Sequence, residues 1–223
     1  MRYFFLVFLF IGFQSVAQDP ARFIEEVDAI EKKYDTLWDS SKETIVFTGS
    51  SSVRIWKDLE SKFPEHHIVN SGFGGSQASD LLTHIDKLVL RFKPTKVFLY
   101  EGDNDISAEK KSKDIITTTE EIIARIRKEN ENTRIILIAA KPSIARWNLK
   151  RSYKRLNRKF KRLSKKDPLI DFADVWRPML QGKKVRQDIF IEDGLHMNDI
   201  GYELWYEVLK NYMDPPSTQK DSL

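Results

Sequence analysis

Four short segments carry the side chains from which chemistry could be built. Gly49-Ser50-Ser51-Ser52 sets three hydroxyls directly after an apolar run. Asn70-Ser71-Gly72-Phe73-Gly74-Gly75 supplies flexible backbone amides, and Glu101-Gly102-Asp103-Asn104-Asp105 adds carboxylates and a side-chain amide. Asp193-Gly194-Leu195-His196 places a carboxylate three residues before an imidazole. A hydroxyl, amide donors, a carboxylate and an imidazole are the inventory of acyl transfer. Asp193 and His196 carry the most information, because residues three apart in a loop can touch. A carboxylate on Nδ1 fixes the imidazole tautomer and supports the imidazolium that forms in catalysis. Taken alone, each segment has a plainer reading. The serines read as a helix N-cap, the glycines as a phosphate loop, and Gly102–Asp105 as a turn or a cation site.

The elements that must position these residues are legible as an alternation. Strands are expected at Thr44–Thr48, His67–Asn70, Lys96–Tyr100, Arg134–Ala140 and Leu169–Phe172. These runs are short and continuously apolar, as parallel strands covered on both faces are. Helical periods lie at Ala78–Phe92, Ile115–Arg127, Asn148–Lys165 and Ile200–Tyr212, with an extra helix over Pro20–Trp38 ahead of the first strand. Strand–helix alternation with short connections implies right-handed βαβ units in a three-layer α/β/α sandwich. No linker or composition shift divides residues 18–213, so one domain is expected, with a frayed polar tail over 214–223. In such open sheets ligands sit at the carboxyl ends of the strands. All four segments fall there or just before the last helix.

In this order the four segments resemble the sequence blocks of the SGNH, or GDSL-type, hydrolases, from about Glu43 to Tyr212. The resemblance implies a flavodoxin-like parallel sheet of about five strands and ester hydrolysis without a metal or cofactor. It assigns Ser51 as nucleophile, within Gly49-Ser50-Ser51, and Asp193 and His196 as its partners. The oxyanion hole would be the backbone N–H groups of Ser51 and Gly75 and the side-chain amide of Asn104. One position departs from the family pattern: Ser50 stands where the family usually has Asp. Ser50 and Ser52 are then expected to shape the turn and cap the following helix.

The 223 residues are 41% hydrophobic and 31% charged, with a net charge of +4. Such a balance fits a globular protein and does not indicate a nucleic-acid partner. Arg2 followed by the apolar stretch Tyr3–Phe13, then Ser15 and Ala17, reads as a signal peptide over residues 1–17, cleaved after Ala17. Eleven residues are too few to span a bilayer, which needs ~20, so no stable membrane insertion is expected. An exported protein, periplasmic or secreted, follows. With no cysteine, it has neither disulfides nor a thiol nucleophile.

Arg54, Trp147 and Asn148 are candidates for substrate binding, with Lys141-Pro142-Ser143 and Arg146 at the same rim. His66-His67 reads as a surface pair and not a metal site. His84 reads as a structural helix residue, and Asp103 and Asp105 as turn residues bonded to backbone. The stretch Lys141–Lys166 holds twelve Lys or Arg. It reads as a solvated helix face, the alternative being a surface for anionic polymers or lipid headgroups. Three functions compete. The first is an exported serine esterase acting on short acyl groups of a small-molecule or carbohydrate ester, with a lysophospholipase as its variant. The second is a non-catalytic carbohydrate- or lipid-binding protein on the same fold. The third is a nucleotide-binding protein using the glycine cluster.

Overall fold

The computed structural model describes residues 20–214. The expected leader, 1–17, and all but the first residue of the expected tail lie outside them. Five strands form one sheet: β1 (Thr44–Gly49), β2 (His67–Gly72), β3 (Lys96–Tyr100), β4 (Arg134–Ile138) and β5 (Ile170–Ala173). Their order is β2-β1-β3-β4-β5 and every pairing is parallel. β1 is followed in space by β2 on one side and β3 on the other, which opens a crevice at their carboxyl ends.

The strands are apolar on both faces because helices cover both. Val46, Val97, Leu99, Ile135 and Leu137 pack on one side. Ile45, Phe47, Phe98, Tyr100, Ile136 and Ile138 pack on the other. The first layer is built from α1 (Ile24–Leu37), α4 (Ala78–Thr83), α5 (Ile85–Leu88), α7 (Ser112–Glu129) and α8 (Lys150–Ser164). The second holds α2 (Ser51–Arg54), α3 (Leu59–Lys62) and α9 (Asp199–Leu209). A short α6 (Asp103–Ser107) follows β3. These three layers are the expected α/β/α sandwich, with the flavodoxin-like strand order. The extra N-terminal helix is present as α1, which buries Val27 and Tyr34 in the first layer.

Two features depart from the sequence reading. The single helix expected over Ala78–Phe92 is broken at His84 and ends in a 3₁₀ turn, Leu90–Phe92. Thr83, His84, Ile85 and Val89 are weak helix formers. Burial of Leu81, Ile85, Leu88 and Val89, rather than a continuous ladder, sets the path. A hairpin, β6 (Leu180–Gln181) and β7 (Lys184–Val185), is also present. Strands of two residues are too short to show a period.

Candidate active site

Glycine is required where β1 ends. Gly49 has φ +128°, and a Cβ there would lie 2.0 Å from the Tyr100 carbonyl oxygen. The close approach lets the Ser50 N–H donate to that carbonyl at 3.1 Å and turns the chain so that α2 begins with Ser51. The expectation that Ser50 and Ser52 cap this helix is not met. Ser50 occupies the N-cap position, but no side chain caps the helix. Its backbone carbonyl accepts from Val53 and Arg54 instead, and the Ser52 carbonyl accepts from the Tyr202 hydroxyl. Both serines are 2% exposed, so they are folded into the turn while Ser51 stays accessible. With no side chain on the first-turn amides, the Ser51 N–H is left for the cleft.

Ser51 Oγ lies 2.9 Å from His196 Nε2, and His196 Nδ1 lies 2.5 Å from Asp193 Oδ2. Asp193 Oδ1 also accepts the backbone N–H groups of Leu195 and His196, each at 2.8 Å. Partial burial pushes the Asp193 carboxyl up, but these donations from His196 and the two amides outweigh it and hold the carboxyl below its ordinary value. Because an ionised carboxylate only accepts, Nδ1 carries the imidazole proton and Nε2 is free to accept from the Ser51 hydroxyl. The loop is closed by Ile191 N–H donating to the His196 carbonyl and Gly194 N–H to that of Ile191, with Gly194 at φ +61°. The Phe190–Met197 bridge ties its base.

The glycine loop after β2 divides its labour. The Gly74 N–H is taken by both carboxylate oxygens of Glu26, at 3.0 Å. The Gly75 N–H has no acceptor among the described residues, and Gly75 adopts φ +71°. A carboxylate seated on this loop is unsuited to a phosphate, which argues against the nucleotide reading. Asn104 donates through Nδ2 to the Ser76 carbonyl at 2.8 Å, while both Nη atoms of Arg146 donate to its Oδ1 at 3.1 Å. Arginine has no acceptor, so the amide orientation is fixed and the second Nδ2 hydrogen remains for a ligand.

Behind these groups lies a buried charge network. Asp103 was expected to be a turn residue bonded to backbone. Its carboxylate instead pairs with Arg146 at 2.6 Å and Lys141 at 3.7 Å, and accepts from the Tyr100 and Tyr153 hydroxyls. Burial alone would raise Asp103, but Lys141 and Arg146 together hold it below its ordinary value. Lys141 is not a pocket-lining residue: it is fully buried, and Nζ donates to the Leu195 carbonyl at 2.6 Å. Asp105, expected to be a turn residue bonded to backbone, does accept a backbone N–H, but that of Ala78, 27 residues away at the start of α4, and it faces Lys110 at 3.7 Å. Glu101, under the glycine loop, accepts from the Ser76 hydroxyl at 2.7 Å. Burial, with Asp105 nearby, pushes its carboxyl well above the usual range.

The candidate binding residues separate. Arg54 reaches the glycine loop but is paired with Glu26 at 3.3 Å, so its charge is already engaged. Trp147 and Asn148 sit in the 3₁₀ turn after Arg146, with Trp147 stacked on Trp176 at 6.0 Å and Asn148 exposed. His67 Nε2 accepts from the Asp39 N–H, and His84 lies edge-on to Phe73 at the helix break. Among the described residues no group of three His, Asp or Glu side chains could hold a metal. No helix there is long and apolar enough to cross a membrane.

Fold and site together define an SGNH-type α/β/α hydrolase scaffold. Residues 38–204 match the GDSL-like Lipase/Acylhydrolase family, and the chain belongs to that family. A candidate platelet activating factor from Streptococcus pneumonia superposes with a TM-score of 0.74 at 24% identity, over 86% of this chain and 94% of that one. A GDSL-like lipase from Bacteroides thetaiotaomicron gives 0.70 at 18% identity, over 87% and 96%. An acetylxylan esterase from Geobacillus stearothermophilus gives 0.64 at 16% identity, over 78% and 95%. No curated protein matches the chain by sequence.

Proposed function

We propose that this protein is an exported serine esterase that removes short acyl groups, acetyl foremost, from a small-molecule or carbohydrate alcohol. The observation that carries this is the alignment of Ser51 Oγ, His196 and Asp193 at 2.9 and 2.5 Å. His196 Nε2 takes the hydroxyl proton as Oγ attacks the ester carbonyl. The oxyanion is received by the N–H groups of Ser51 and Gly75 and by the second Nδ2 hydrogen of Asn104. His196 returns the proton to the leaving alcohol, and water repeats the cycle on the acyl-enzyme. Ile144 and Ile191, 40% and 48% exposed, border the His196 loop and offer apolar surface to an acyl group. Family membership and the resemblance in fold to an acetylxylan esterase support the ester and favour acetyl.

The test is hydrolysis of p-nitrophenyl acetate, butyrate and octanoate, with Ser51→Ala in parallel. The expected result is activity that falls with chain length and drops by about 10⁴–10⁶ in the variant. Full activity of Ser51→Ala refutes the assignment. Preference for octanoate moves the substrate to lipids.

A further inference from the structure

The charge on α8 is not explained by the reaction. Its fifteen residues, KRSYKRLNRKFKRLS, include eight Lys or Arg and no acid. None of the eight enters an ion pair among the described residues. The acids around it, Asp167, Asp171 and Asp174, are paired with Arg127, Arg134 and Arg177. The arrangement costs stability. Lys150/Lys154, Arg151/Arg155, Lys154/Arg158 and Arg158/Arg162 are like charges at i,i+4. Lys150 and Arg151 also oppose the helix dipole at its N-terminus. By contrast, α7 opens with Asp114 and ends with Arg127 and Lys128.

A concavity of about 340 Å³ lies beside α8, lined by Lys154, Arg158, Lys161, Arg177, Phe172 and Trp176, with Asp174 and Asn157. None of the active-site residues lines it, but its Trp176 is linked to the site through the segment that follows β4. Trp176 stacks on Trp147, Trp147 follows Arg146, and Arg146 donates to Asn104. Lys150 and Lys154 lie over the two indoles, at 4.8 and 5.9 Å. Cations interleaved with aromatic rings along a groove match a chain of carboxylate-bearing sugars. A lipid surface fits less well: among the described residues the exposed large apolar side chains are Ile24, Leu37, Ile144, Ile191 and Ile200, none of them on α8.

We propose that α8 and this groove seat an anionic polysaccharide strand and deliver its esterified hydroxyl to Ser51. The delivery half rests on the esterase reading; the binding half does not. The test is affinity electrophoresis of the full chain and of Lys154→Gln/Arg158→Gln/Lys161→Gln in gels containing polygalacturonate or neutral xylan, at 150 mM salt. p-Nitrophenyl acetate hydrolysis is measured alongside. The expected result is retardation of the wild type by polygalacturonate only, weakened on the order of tenfold in the triple variant, with p-nitrophenyl acetate turnover unchanged. Acetylated polygalacturonate should lose kcat/KM in the variant while acetylated xylan does not. Equal retardation of the two proteins, each measured against its own mobility in a polymer-free gel, overturns the proposal, as does stronger binding of the wild type to phosphatidylcholine vesicles containing phosphatidylserine than to the polymer. Retardation as expected with no hydrolysis of any ester overturns the esterase reading and leaves the groove standing.

Discussion

Lys141 Nζ donates to the carbonyl of Leu195, the residue immediately before His196, from a fully buried position at the end of β4. The same ammonium faces Asp103 at 3.7 Å. One cation therefore ties the His196 loop to the segment that carries Asn104. Burial lowers the Lys141 pKa, and Asp103 opposes that shift. A buried ammonium is tolerated here because a carboxylate and a carbonyl both receive it.

Lys141→Met should keep the volume and lose both ties. Asp103 would retain Arg146, so the fold should survive with a loss of about 3 kcal/mol. The loop carrying His196 would lose its anchor, which predicts a fall in kcat larger than any rise in KM for p-nitrophenyl acetate. A stability loss with unchanged kcat would show that Lys141 serves the fold alone.

Asn104→Ala removes the side-chain donor and leaves Arg146 with Asp103. Steady-state kinetics should show kcat down by about 10²–10³ with KM little changed, as for loss of one oxyanion donor. Arg146→Lys is the informative companion. An ammonium cannot give the two-pronged donation that fixes the amide of Asn104, so a partial loss in kcat is expected. Wild-type kcat in Arg146→Lys would remove Arg146 from that role.

Asp193→Asn tests the tautomer. Asparagine can still accept the Leu195 and His196 N–H groups through Oδ1, but its NH₂ would then face His196 Nδ1. That contact favours Nδ1 as acceptor and puts the imidazole proton on Nε2, against the Ser51 hydroxyl. The expected loss in kcat is about 10⁴-fold, with thermal stability near wild type at neutral pH. Retention of more than a tenth of the activity would mean that Asp193 does not set the tautomer.

How much of this was readable beforehand follows from the range of each interaction. The five strands and their flanking helices were legible because burial on both faces writes uninterrupted apolar runs such as Thr44–Thr48 and Lys96–Tyr100. Asp193 and His196 were legible as a contact because they are three residues apart. The Lys141–Asp103–Arg146 network was not: it joins residues 38 and 43 positions apart across β3 and β4, and a lysine after a strand reads as a rim residue rather than a buried one. Gly75 was set apart from Gly74 by the family resemblance alone, and the physical reason lay outside the loop. Glu26, on a helix that looked peripheral, takes the Gly74 N–H and leaves Gly75. The bend at His84 escaped because the apolar period continues through it.

Glu101 supplies the last prediction, on pH. Its raised folded-state pKa means that the native protein keeps a proton which the unfolded chain releases above the ordinary glutamate value of 4.5. Stability therefore falls as pH rises from there toward the folded-state pKa, because the unfolded state is the one that ionises. Glu101→Gln cannot titrate, so its stability should lack that decline. Urea unfolding of the two proteins at pH 4.5 and 7.5 compares them. Whatever offset separates them at pH 4.5, the difference should move in favour of Glu101→Gln at 7.5. Asp103 and Asp193 shift the opposite way, holding pKa values below the ordinary one. They contribute stability that is lost only as pH falls through the acid range, and they do so in both proteins, so they cancel in the comparison. Parallel pH dependences would mean that Glu101 is ionised in the folded protein and that burial does not hold its proton.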